Sequence, residues 1–440
     1  MSTAFQLFGG VGLFLYGVKL MSESLQNIAG DRMRRLIGSL TRTPVMGVAV
    51  GALVAMLIQS SSGATVMTVS FVHAGLMSLK QAVAVIMGAN IGTTVTAQIV
   101  AFDVEDFSLP VLGVGVLLVF FGRSKRWRYA GHGLIGFGLL FLGMRTMKDS
   151  MSFLQDSRDL FLMFDSSPLL GVLAGTVLTM LVQASSATIG LTMAMAAQGL
   201  LSLEAALPIL LGDNIGTTIT AVLASLGSNR SAKQAAAAHV LFNVIGAAIF
   251  LTFLPLYASA VETTSGDIVR QIANAHTIFN VANTLLFLPA IPLFVRIIRR
   301  VIPDREDAVI AGPVYLDIKL LSASPSAAVG AVKKEILHMG GIARSMLADV
   351  RAAFTNNDPS MIEEVARKER VVNEINRAIS AYACEVWQCD LSADLSTVLG
   401  SYVNATGDVE RIGDHATNLI ELYEYNLDNR VEFSAVAWAE

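Results

Sequence analysis

The chain has 440 residues, of which 53% are hydrophobic and only 15% are charged, and its formal net charge is -4. Its positive mean hydropathy of +0.59 is unlike that of an ordinary soluble enzyme and places the chain in a bilayer. Charges are sparse before about Arg296 and dense after Val301, and neither part has the basic composition of a nucleic-acid-binding protein. The two cysteines, Cys384 and Cys389, are too few for a disulfide framework or a four-ligand zinc site.

Two segments of the chain occur twice. Gln59–Thr68 reads QSSSGATVMT and Gln183–Thr192 reads QASSATIGLT, while Gly88–Ala97 reads GANIGTTVTA and Gly212–Ala221 reads GDNIGTTITA. The offset is constant, because 183 − 59 and 214 − 90 both give 124. Convergent composition does not produce a constant offset, so the chain contains a duplicated unit.

The duplication extends upstream with a small shift. GVKLMSES at Gly17–Ser24 matches GMRTMKDS at Gly143–Ser150, an offset of 143 − 17, or 126. The unit is therefore duplicated nearly whole. Repeat one is predicted at about 5–122 and repeat two at about 130–298.

Segment lengths separate the membrane crossings from segments that turn back. The apolar pairs 44–58 with 62–79 and 168–182 with 186–203 are each marginal for a span of about 20 residues, and each pair surrounds a polar tip. We expect both pairs to be re-entrant helical hairpins. Full crossings are then predicted at 4–26, 81–101, 108–122, 130–148, 204–226, 235–260 and 272–298.

Loop charges predict the orientation of each copy. By the positive-inside rule, four basic clusters are cytoplasmic, namely Arg32, Arg34, Arg35 and Arg42, residues 123–128, Arg230 and Lys233, and residues 296–300. Three acidic connections are then external, at 103–106, 149–165 and 262–267. The first hairpin starts after a cytoplasmic loop and the second after an external loop. The two copies are therefore predicted to be inverted, an arrangement typical of secondary transporters.

The hairpin tips carry the residues that suit an anion. A second half-helix that starts near Ser62 directs its free backbone N–H groups and positive dipole end at the tip, and serine hydroxyls can donate to tetrahedral oxygens. A polar break at membrane depth is tolerated only where it is buried in protein or lines a cavity. The alternative is that the serines merely pack helices. The candidate anion ligands are Ser60, Ser61, Ser62, Ser185 and Ser186.

Oxygen-bearing side chains near the tips and in the NIGTT segments suit a hard cation such as sodium. We interpret both NIGTT segments as broken helices, because paired glycines allow the backbone to unwind. Asp213 is an exception between the copies, since Ala89 occupies its position in repeat one; it is either a sodium ligand or a structural helix cap. The candidate sodium ligands are Gln59, Thr65, Asn90, Thr93, Thr94, Gln183, Thr188, Asp213, Asn214, Thr217 and Thr218.

A further pattern, HxxFN, occurs at His239–Asn243 and His276–Asn280. The histidine and asparagine are four residues apart and share one helix face. This arrangement favours interhelical hydrogen bonding, and a role as proton carrier or ligand is the alternative.

The paired QSSS and QASS loops, the NIGTT segments and the HxxFN helices resemble the bacterial branch of the type II sodium/phosphate cotransporter family over about residues 5–300. The resemblance implies sodium-driven uptake of inorganic phosphate through the two Gln-Ser loops, with sodium as the coupling ion and no required cofactor. The spacing by itself supports only an oxyanion and a small cation. Ala184 replaces the first serine of the second loop, so no phosphate contact is assigned to it.

The tail has a different composition. Apolar residues recur at helical spacing over 331–353, 360–386 and 395–426, which predicts a three-helix bundle within 326–440, joined by a linker at 303–325 to the membrane domain at 1–302. VERIGDHA at Val409–Ala416 resembles the metal-binding helix of PhoU-like phosphate-signalling domains. Glu410, Asp414 and His415 are candidate ligands for a divalent or transition metal; the alternative is a solvated acidic face.

The sequence therefore predicts an all-α, polytopic membrane protein with two inverted repeats that contain re-entrant hairpins, followed by a cytoplasmic three-helix bundle. The expected location is the bacterial cytoplasmic membrane, and the expected partners are phosphate, sodium and the lipid bilayer, without nucleic acid. A homodimer and a cytoplasmic partner of the tail stay open. The alternative to a cotransporter is a membrane phosphate sensor that signals through the tail, and intact polar motifs in both halves favour transport. An enzyme is not predicted, because the sequence shows no activated nucleophile, zinc-binding motif or nucleotide-binding loop.

Overall fold

The computed structural model describes residues 2–29, 43–102, 104–151, 162–303, 312–389 and 391–431, and all regular structure in these ranges is helical. Several predicted loop features fall outside the described residues. They are the basic cluster at 32–42, Asp103, most of the acidic connection at 149–165 and residues 304–311 of the linker. The chain forms two compact units, the first made of residues 1–72 and 77–304 and the second of residues 73–76 and 305–440.

Fifteen described α-helices belong to the first unit. They are α1 (Ser2–Ala29), α2 (Pro44–Ile58), α3 (Ser61–His73), α4 (Leu79–Val100), α5 (Ser108–Phe121), α6 (Lys125–Ser150), α7 (Leu162–Ser166), α8 (Pro168–Val182), α9 (Ser185–Ala197), α10 (Leu203–Gly216), α11 (Thr218–Ser225), α12 (Arg230–Thr252), α13 (Leu254–Glu262), α14 (Ile268–Phe287) and α15 (Ile291–Val301).

Helix starts follow from local sequence. Thr43 caps α2 by accepting from the Met46 N–H, and Pro44, which has no N–H, occupies the first turn. Ser78 and Gln81 form a capping box at α4. Ser202, which is 124 residues after Ser78, caps α10 by accepting from the Ala205 N–H, without the second bond of a capping box. The duplicated sequence therefore starts the same helix twice.

Four described helical segments are long and apolar enough to cross a membrane by length and composition, namely Phe5–Ile28, Leu79–Val100, Leu203–Ser225 and Arg230–Thr252, and a fifth is a bent pair. The predicted span over 272–298 is this pair, and it is not one continuous helix, because α14 and α15 meet at 83°. The cause is local. Pro289 lies in the break and Pro292 in the first turn of α15, and a proline cannot donate the hydrogen bond that continues a helix.

Glycines let each hairpin helix lie directly against the helix that carries the NIGTT motif. At four glycines, an added Cβ would lie only 2.0 Å from a carbonyl oxygen of the facing helix, closer than any side chain can approach. The four pairs are Gly51 with Val85, Gly88 with Val48, Gly175 with Ile209 and Gly212 with Val172. The last two pairs repeat the first two at the offset of 124. Both copies therefore pack this helix pair backbone to backbone.

The matched helices α1 and α6 also pack through glycines. A Cβ on Gly17 would lie 2.6 Å from the carbonyl oxygen of Gly136, and one on Gly143 would lie 2.7 Å from that of Gly10. Gly136 and Gly143 correspond to Gly10 and Gly17 at the offset of 126. Gly17 faces Gly136, and Gly10 faces Gly143. A later residue of α1 therefore contacts an earlier residue of α6. The two equivalent helices run antiparallel.

The second unit contains a three-helix bundle, as predicted. A short helix α16 (Lys319–Ala323) precedes α17 (Pro325–Asn356), α18 (Ser360–Trp387) and α19 (Ala393–Asp428). The bundle interior includes Met339, Met346, Ile375, Ile379 and Leu399, all fully buried. Asn357 ends α17 in the left-handed conformation and Pro359 precedes α18, which explains the predicted break.

The segment before the bundle is attached to it. The buried carboxylate of Glu335 accepts hydrogen bonds from the backbone N–H groups of Val314 and Tyr315, at 2.9 and 2.6 Å. Tyr382 donates its hydroxyl to the Asp317 carbonyl at 2.7 Å, and burial together with the nearby Asp317 carboxylate raises the pKa of Tyr382. The described end of the predicted linker is therefore ordered against the second unit.

Candidate functional site

Each predicted hairpin tip is a break between two helices at a glutamine. Gln59 has φ 54° and ψ 32°, and Gln183 has φ 56° and ψ 25°, so both adopt the left-handed conformation that non-glycine residues rarely adopt. The Gln59 N–H donates to Ala55, and the Gln183 N–H donates to Thr179. The chain therefore leaves the first half-helix abruptly and starts the second one within two residues.

The predicted anion ligands lie at the starts of the second half-helices. Ser61 begins α3 and Ser185 begins α9, each followed by a second serine. None of these four hydroxyls, those of Ser61, Ser62, Ser185 and Ser186, has a hydrogen-bond partner among the described residues. Free helix N–H groups and free serine hydroxyls are thus presented together at both tips.

Ser60 differs from the other serines. Its Oγ accepts a hydrogen bond from the Gly63 N–H at 3.0 Å, so it caps α3. Ala184, at the matched position, provides no side-chain cap to α9. The hydroxyl hydrogen of Ser60 stays free to donate, but its first task is to start the helix.

The second half-helices are shorter than the predicted segments 62–79 and 186–203. They end at His73 and Ala197, and the chain turns at Gly75 (φ 65°) and Gly199 (φ 69°). Glycine adopts positive φ without strain, which is why both copies stop at the same point.

The first NIGTT segment is not a broken helix, so the prediction of unwinding is wrong for repeat one. Helix α4 runs without interruption through Asn90, Thr93 and Thr94. The hydroxyls of Thr93 and Thr94 donate to backbone carbonyls of the same helix, at 3.1 and 2.8 Å. Gly88 and Gly92 permit close helix packing, since an added Cβ would lie 2.0 and 2.2 Å from oxygens of α2.

The second NIGTT segment does contain a break, but a small one. Helix α10 ends at Gly216, Thr217 caps it, and α11 begins at Thr218. The hydroxyls of Thr217 and Thr218 each donate to the carbonyl three residues earlier, at 2.7 Å. Asn214 similarly donates its amide to Leu210 at 2.9 Å.

Asp213 is fully buried and is held by a chain of hydroxyls. Thr179 donates to Asp213 Oδ1 at 2.7 Å, and the Thr179 and Thr188 hydroxyls are 2.7 Å apart. With Thr179 donating to the carboxylate, Thr188 donates to Thr179. Asp213 Oδ2 has no partner among the described residues. This group joins the hairpin helices α8 and α9 to α10.

The Asp213 group exists only in repeat two. At the offset of 124, Thr179, Thr188 and Asp213 correspond to Ala55, Ala64 and Ala89. Three alanines thus replace three residues that are hydrogen-bonded to one another. Sequence reasoning missed Thr179, although the shared alanine replacement at a constant offset is a signal that could have identified it.

One of the two HxxFN asparagines, Asn243, joins two helices, whereas Asn280 donates to His276 within its own helix. Asn90 on α4 donates to Asn243 Oδ1 on α12 at 2.8 Å, which confirms the predicted interhelical bond for the first HxxFN segment only. The histidines do not share in it. Both ring nitrogens of His239 and Nδ1 of His276 are buried without a partner among the described residues.

Six buried side-chain oxygens have no hydrogen-bond partner among the described residues. They are Gln59 Oε1, Thr65 Oγ1, Asn90 Oδ1, Asp213 Oδ2, Asn280 Oδ1 and Asn283 Oδ1. A buried polar atom without a partner costs about 1–3 kcal/mol, so each of these oxygens is expected to pair with a water molecule or a cation. Four of these residues were predicted as cation ligands; Asn280 and Asn283 were not. The matched glutamine Gln183 is exposed, unlike Gln59.

The predicted tail ligands are not gathered into a site. Glu410 is half-buried, and Asp414 and His415 are exposed. No group of three His, Cys, Asp or Glu side chains in the described part of the chain could hold a metal ion. The tail metal site therefore has no support in this geometry.

Comparisons with known proteins match both units. The family described as Na+/Pi-cotransporter matches residues 13–149 and 151–275, more than half of the chain, and the PhoU domain matches residues 336–422. The uncharacterised protein YqeW of Bacillus subtilis is 34% identical over 257 residues, covering 58% of this chain and 83% of that protein.

Two further relatives have names that mention phosphate. The putative inorganic phosphate export protein YjbB of Escherichia coli K12 is 24% identical over 439 residues, covering 99% of this chain and 80% of that protein. The sodium-dependent phosphate transport protein 2A of Rattus norvegicus is 37% identical over 118 residues, covering 25% of this chain and 18% of that protein. No solved structure matches the chain.

Proposed function

This chain belongs to the Na+/Pi-cotransporter family, and we propose that it carries inorganic phosphate into the cell, driven by sodium. Family membership and the apolar helices make it a multi-pass membrane protein of a phosphate transporter family. The observation that carries the finer proposal is the pairing of free serine hydroxyls at two helix starts with buried, unpartnered oxygens in the same unit. The first set suits an oxyanion and the second a small cation.

The proposed carrier consists of two inverted repeats. The equivalent helices α1 and α6 run antiparallel through reciprocal glycine contacts, which is the relation expected between inverted copies. The hairpin-to-NIGTT helix contacts recur at the offset of 124, so this helix pair packs alike in both copies. An inverted pair can open to either side of a membrane by exchanging the conformations of its two halves.

We propose that both hairpins are re-entrant. Helices α2 and α8 have 15 residues each, about 22 Å long, and α3 and α9 have 13 residues each, about 20 Å long. A hydrocarbon core of about 30 Å is too thick for any of them to cross. The polar tips at Gln59 and Gln183 then lie inside the membrane region, where their backbone groups can face a substrate.

In this proposal the anion is bound by Ser61, Ser62, Ser185 and Ser186, with Ser60 as a cap that can also donate. All are neutral, so binding depends on hydrogen bonds and helix dipoles and not on a fixed positive charge. A neutral site releases its anion more readily than an arginine clamp would, which suits a carrier. Sodium would supply the balancing charge.

The proposed sodium ligands lie in the same unit and include one carboxylate. Asp213 is fully buried, and its only described side-chain partner is the Thr179 hydroxyl. A buried carboxylate without a basic partner is costly, and a sodium ion at its free Oδ2 would offset that cost. In this proposal the other predicted oxygen ligands complete the coordination of sodium.

The direction of transport is the finer question, and the YjbB name gives a specific reason to consider export. A coupled carrier moves phosphate along the sum of the phosphate and sodium gradients, so an inward sodium gradient favours uptake.

We assign the transport domain to 1–302, the linker to 303–325 and the PhoU-containing tail to 326–440. We place the tail in the cytoplasm of a bacterium. A sensor role of the whole chain is the alternative of a different class.

The deciding experiment uses the purified full-length protein in proteoliposomes. Radiolabelled phosphate should accumulate inside under an inward sodium gradient, and replacing sodium by potassium should abolish accumulation. Vesicles preloaded with phosphate test export under the opposite gradient. A phosphate transport rate that is the same with and without sodium would refute the coupling. If phosphate is transported in neither direction, the sensor role is favoured.

A further inference from the structure

Three helices of the first unit meet at a cluster of buried asparagines. Asn90 on α4 donates to Asn243 on α12 at 2.8 Å, Asn283 on α14 donates to the Phe242 carbonyl on α12 at 3.4 Å, and Thr284 on α14 donates to the Met87 carbonyl on α4 at 3.3 Å. Each pair among α4, α12 and α14 is thus joined by a hydrogen bond, and on each helix the bonded residues lie within one turn of each other. We call Asn90, Asn243, Asn280 and Asn283 the asparagine cluster; each is at most 3% exposed.

Every amide nitrogen of the asparagine cluster donates a hydrogen bond. Asn243, Asn280 and Asn283 donate to the backbone carbonyls of His239, His276 and Phe242, at 3.0, 2.9 and 3.4 Å. A carbonyl only accepts, so these bonds fix which end of each amide is nitrogen. The Asn243 oxygen then accepts from Asn90, which fixes the Asn90 amide as well.

In this orientation each amide nitrogen has a hydrogen-bond acceptor, whereas three of the amide oxygens lack a donor. Asn90 Oδ1, Asn280 Oδ1 and Asn283 Oδ1 have no partner among the described residues. Asn280 lies one helical turn from Asn283 on α14, and Thr284, the neighbour of Asn283, bonds α4 one turn before Asn90. The free oxygens therefore belong to adjacent turns of two packed helices.

We propose that the asparagine cluster is a sodium site, separate from Asp213, with Asn280 and Asn283 as ligands that complete it alongside Asn90. Hard oxygen ligands suit sodium, and the three unpaired amide oxygens are acceptors that favour a cation over an anion such as phosphate. None of the four side chains carries a charge, so a divalent ion would be bound without neutralisation, whereas a monovalent ion is tolerated. The inference rests on the proposed sodium coupling.

The location gives the bound ion a role beyond balancing charge. Helix α4 belongs to repeat one, and α12 and α14 follow the hairpin of repeat two. An ion held by Asn90 together with Asn280 and Asn283 would tie the two repeats together. Sodium would thereby favour the conformation in which these helices are packed, which is a direct means of coupling ion binding to the carrier's conformation.

The test measures sodium-dependent thermal stabilisation of the purified full-length protein without phosphate, with potassium chloride as the ionic-strength control. Asn280→Ala and Asn283→Ala should each raise the half-saturating sodium concentration by about tenfold, the effect of losing roughly one ligand interaction. Asn280 bonds only its own helix, so its loss should leave the fold intact even if Asn283→Ala is unstable. The matched control is Asn274→Ala, on the same helix, whose amide is paired at both ends with Thr264 and Gln98.

The outcomes separate this site from the proposed function. A weakened sodium response in the two cluster variants, with a normal response in Asn274→Ala, supports the site. A wild-type response in folded Asn280→Ala overturns it and indicates that buried water pairs these oxygens. A wild-type protein that transports phosphate but responds equally to sodium and potassium overturns the coupling itself.

Discussion

Replacing Asp213 with asparagine should reduce the number of sodium ions that move with each phosphate. The carboxylate is fully buried, and its Oδ2 has no partner among the described residues, so an ionised Asp213 needs a cation there. Asparagine keeps the size and can still accept from Thr179 at Oδ1. What it loses is the negative charge that would hold one sodium ion.

The magnitude follows from one charge. Moving one elementary charge through 100 mV is worth about 2.3 kcal/mol, and a tenfold sodium gradient adds about 1.4 kcal/mol. Losing one coupled sodium therefore removes about 3.7 kcal/mol of driving force under these conditions, which lowers the limiting phosphate accumulation by roughly 500-fold. The voltage dependence should weaken as well, because one positive charge fewer moves per cycle.

Reversal potentials measured in proteoliposomes with set sodium, phosphate and voltage gradients give the coupling ratio directly. Thr179→Val is the matched control, because it removes the donor to Oδ1 but keeps the carboxylate; its coupling ratio should stay at the wild-type value while sodium binds less tightly. An active Asp213→Asn variant with an unchanged coupling ratio would refute the reasoning and leave Asp213 as a structural partner of Thr179.

Three further predictions test other parts of the molecule. Ser61→Ala and Ser62→Ala should strongly reduce phosphate uptake at normal expression, because each removes a donor without disturbing packing; unchanged uptake in both would move the anion site elsewhere. Gly175→Ala should lower the thermal stability of the detergent-purified protein by about 1–3 kcal/mol, since its Cβ would lie 2.0 Å from the Ile209 oxygen, whereas Gly113→Ala, with open space around it, should not. A chain ending after Arg300 should insert and keep sodium-dependent uptake, and an inserted but inactive product would make the tail part of the mechanism.

Local patterns in the sequence predicted the helices well. The segments 44–58 and 168–182 are helices with the predicted bounds, because Pro44 and Pro168 start them and the polar glutamines end the apolar runs. The tail helices were also predicted from local signals. Their apolar residues recur at helical spacing, and Pro359 and its polar neighbours interrupt this periodicity. These signals act within a few residues along the chain.

Local patterns failed where a residue's role depends on a distant helix. The glycines of the first NIGTT segment suggested unwinding, but α4 is continuous, and those glycines instead let its backbone approach α2. The span predicted over 272–298 bends by 83°. A glycine is compatible with both unwinding and close packing, and only the facing helix decides between them.

The sequence by itself determined the duplication, the helical class, the polar tips and the phosphate-transporter family, because each depends on residue types at fixed spacings. The tertiary structure alone decided which oxygens are left without donors. Thr179 reaches Asp213 across 34 positions of the chain, and Asn90 reaches Asn243 across 153. Hydrogen bonds of this kind are set by how helices pack, and a buried oxygen becomes a candidate ligand only after every nearby donor has been assigned.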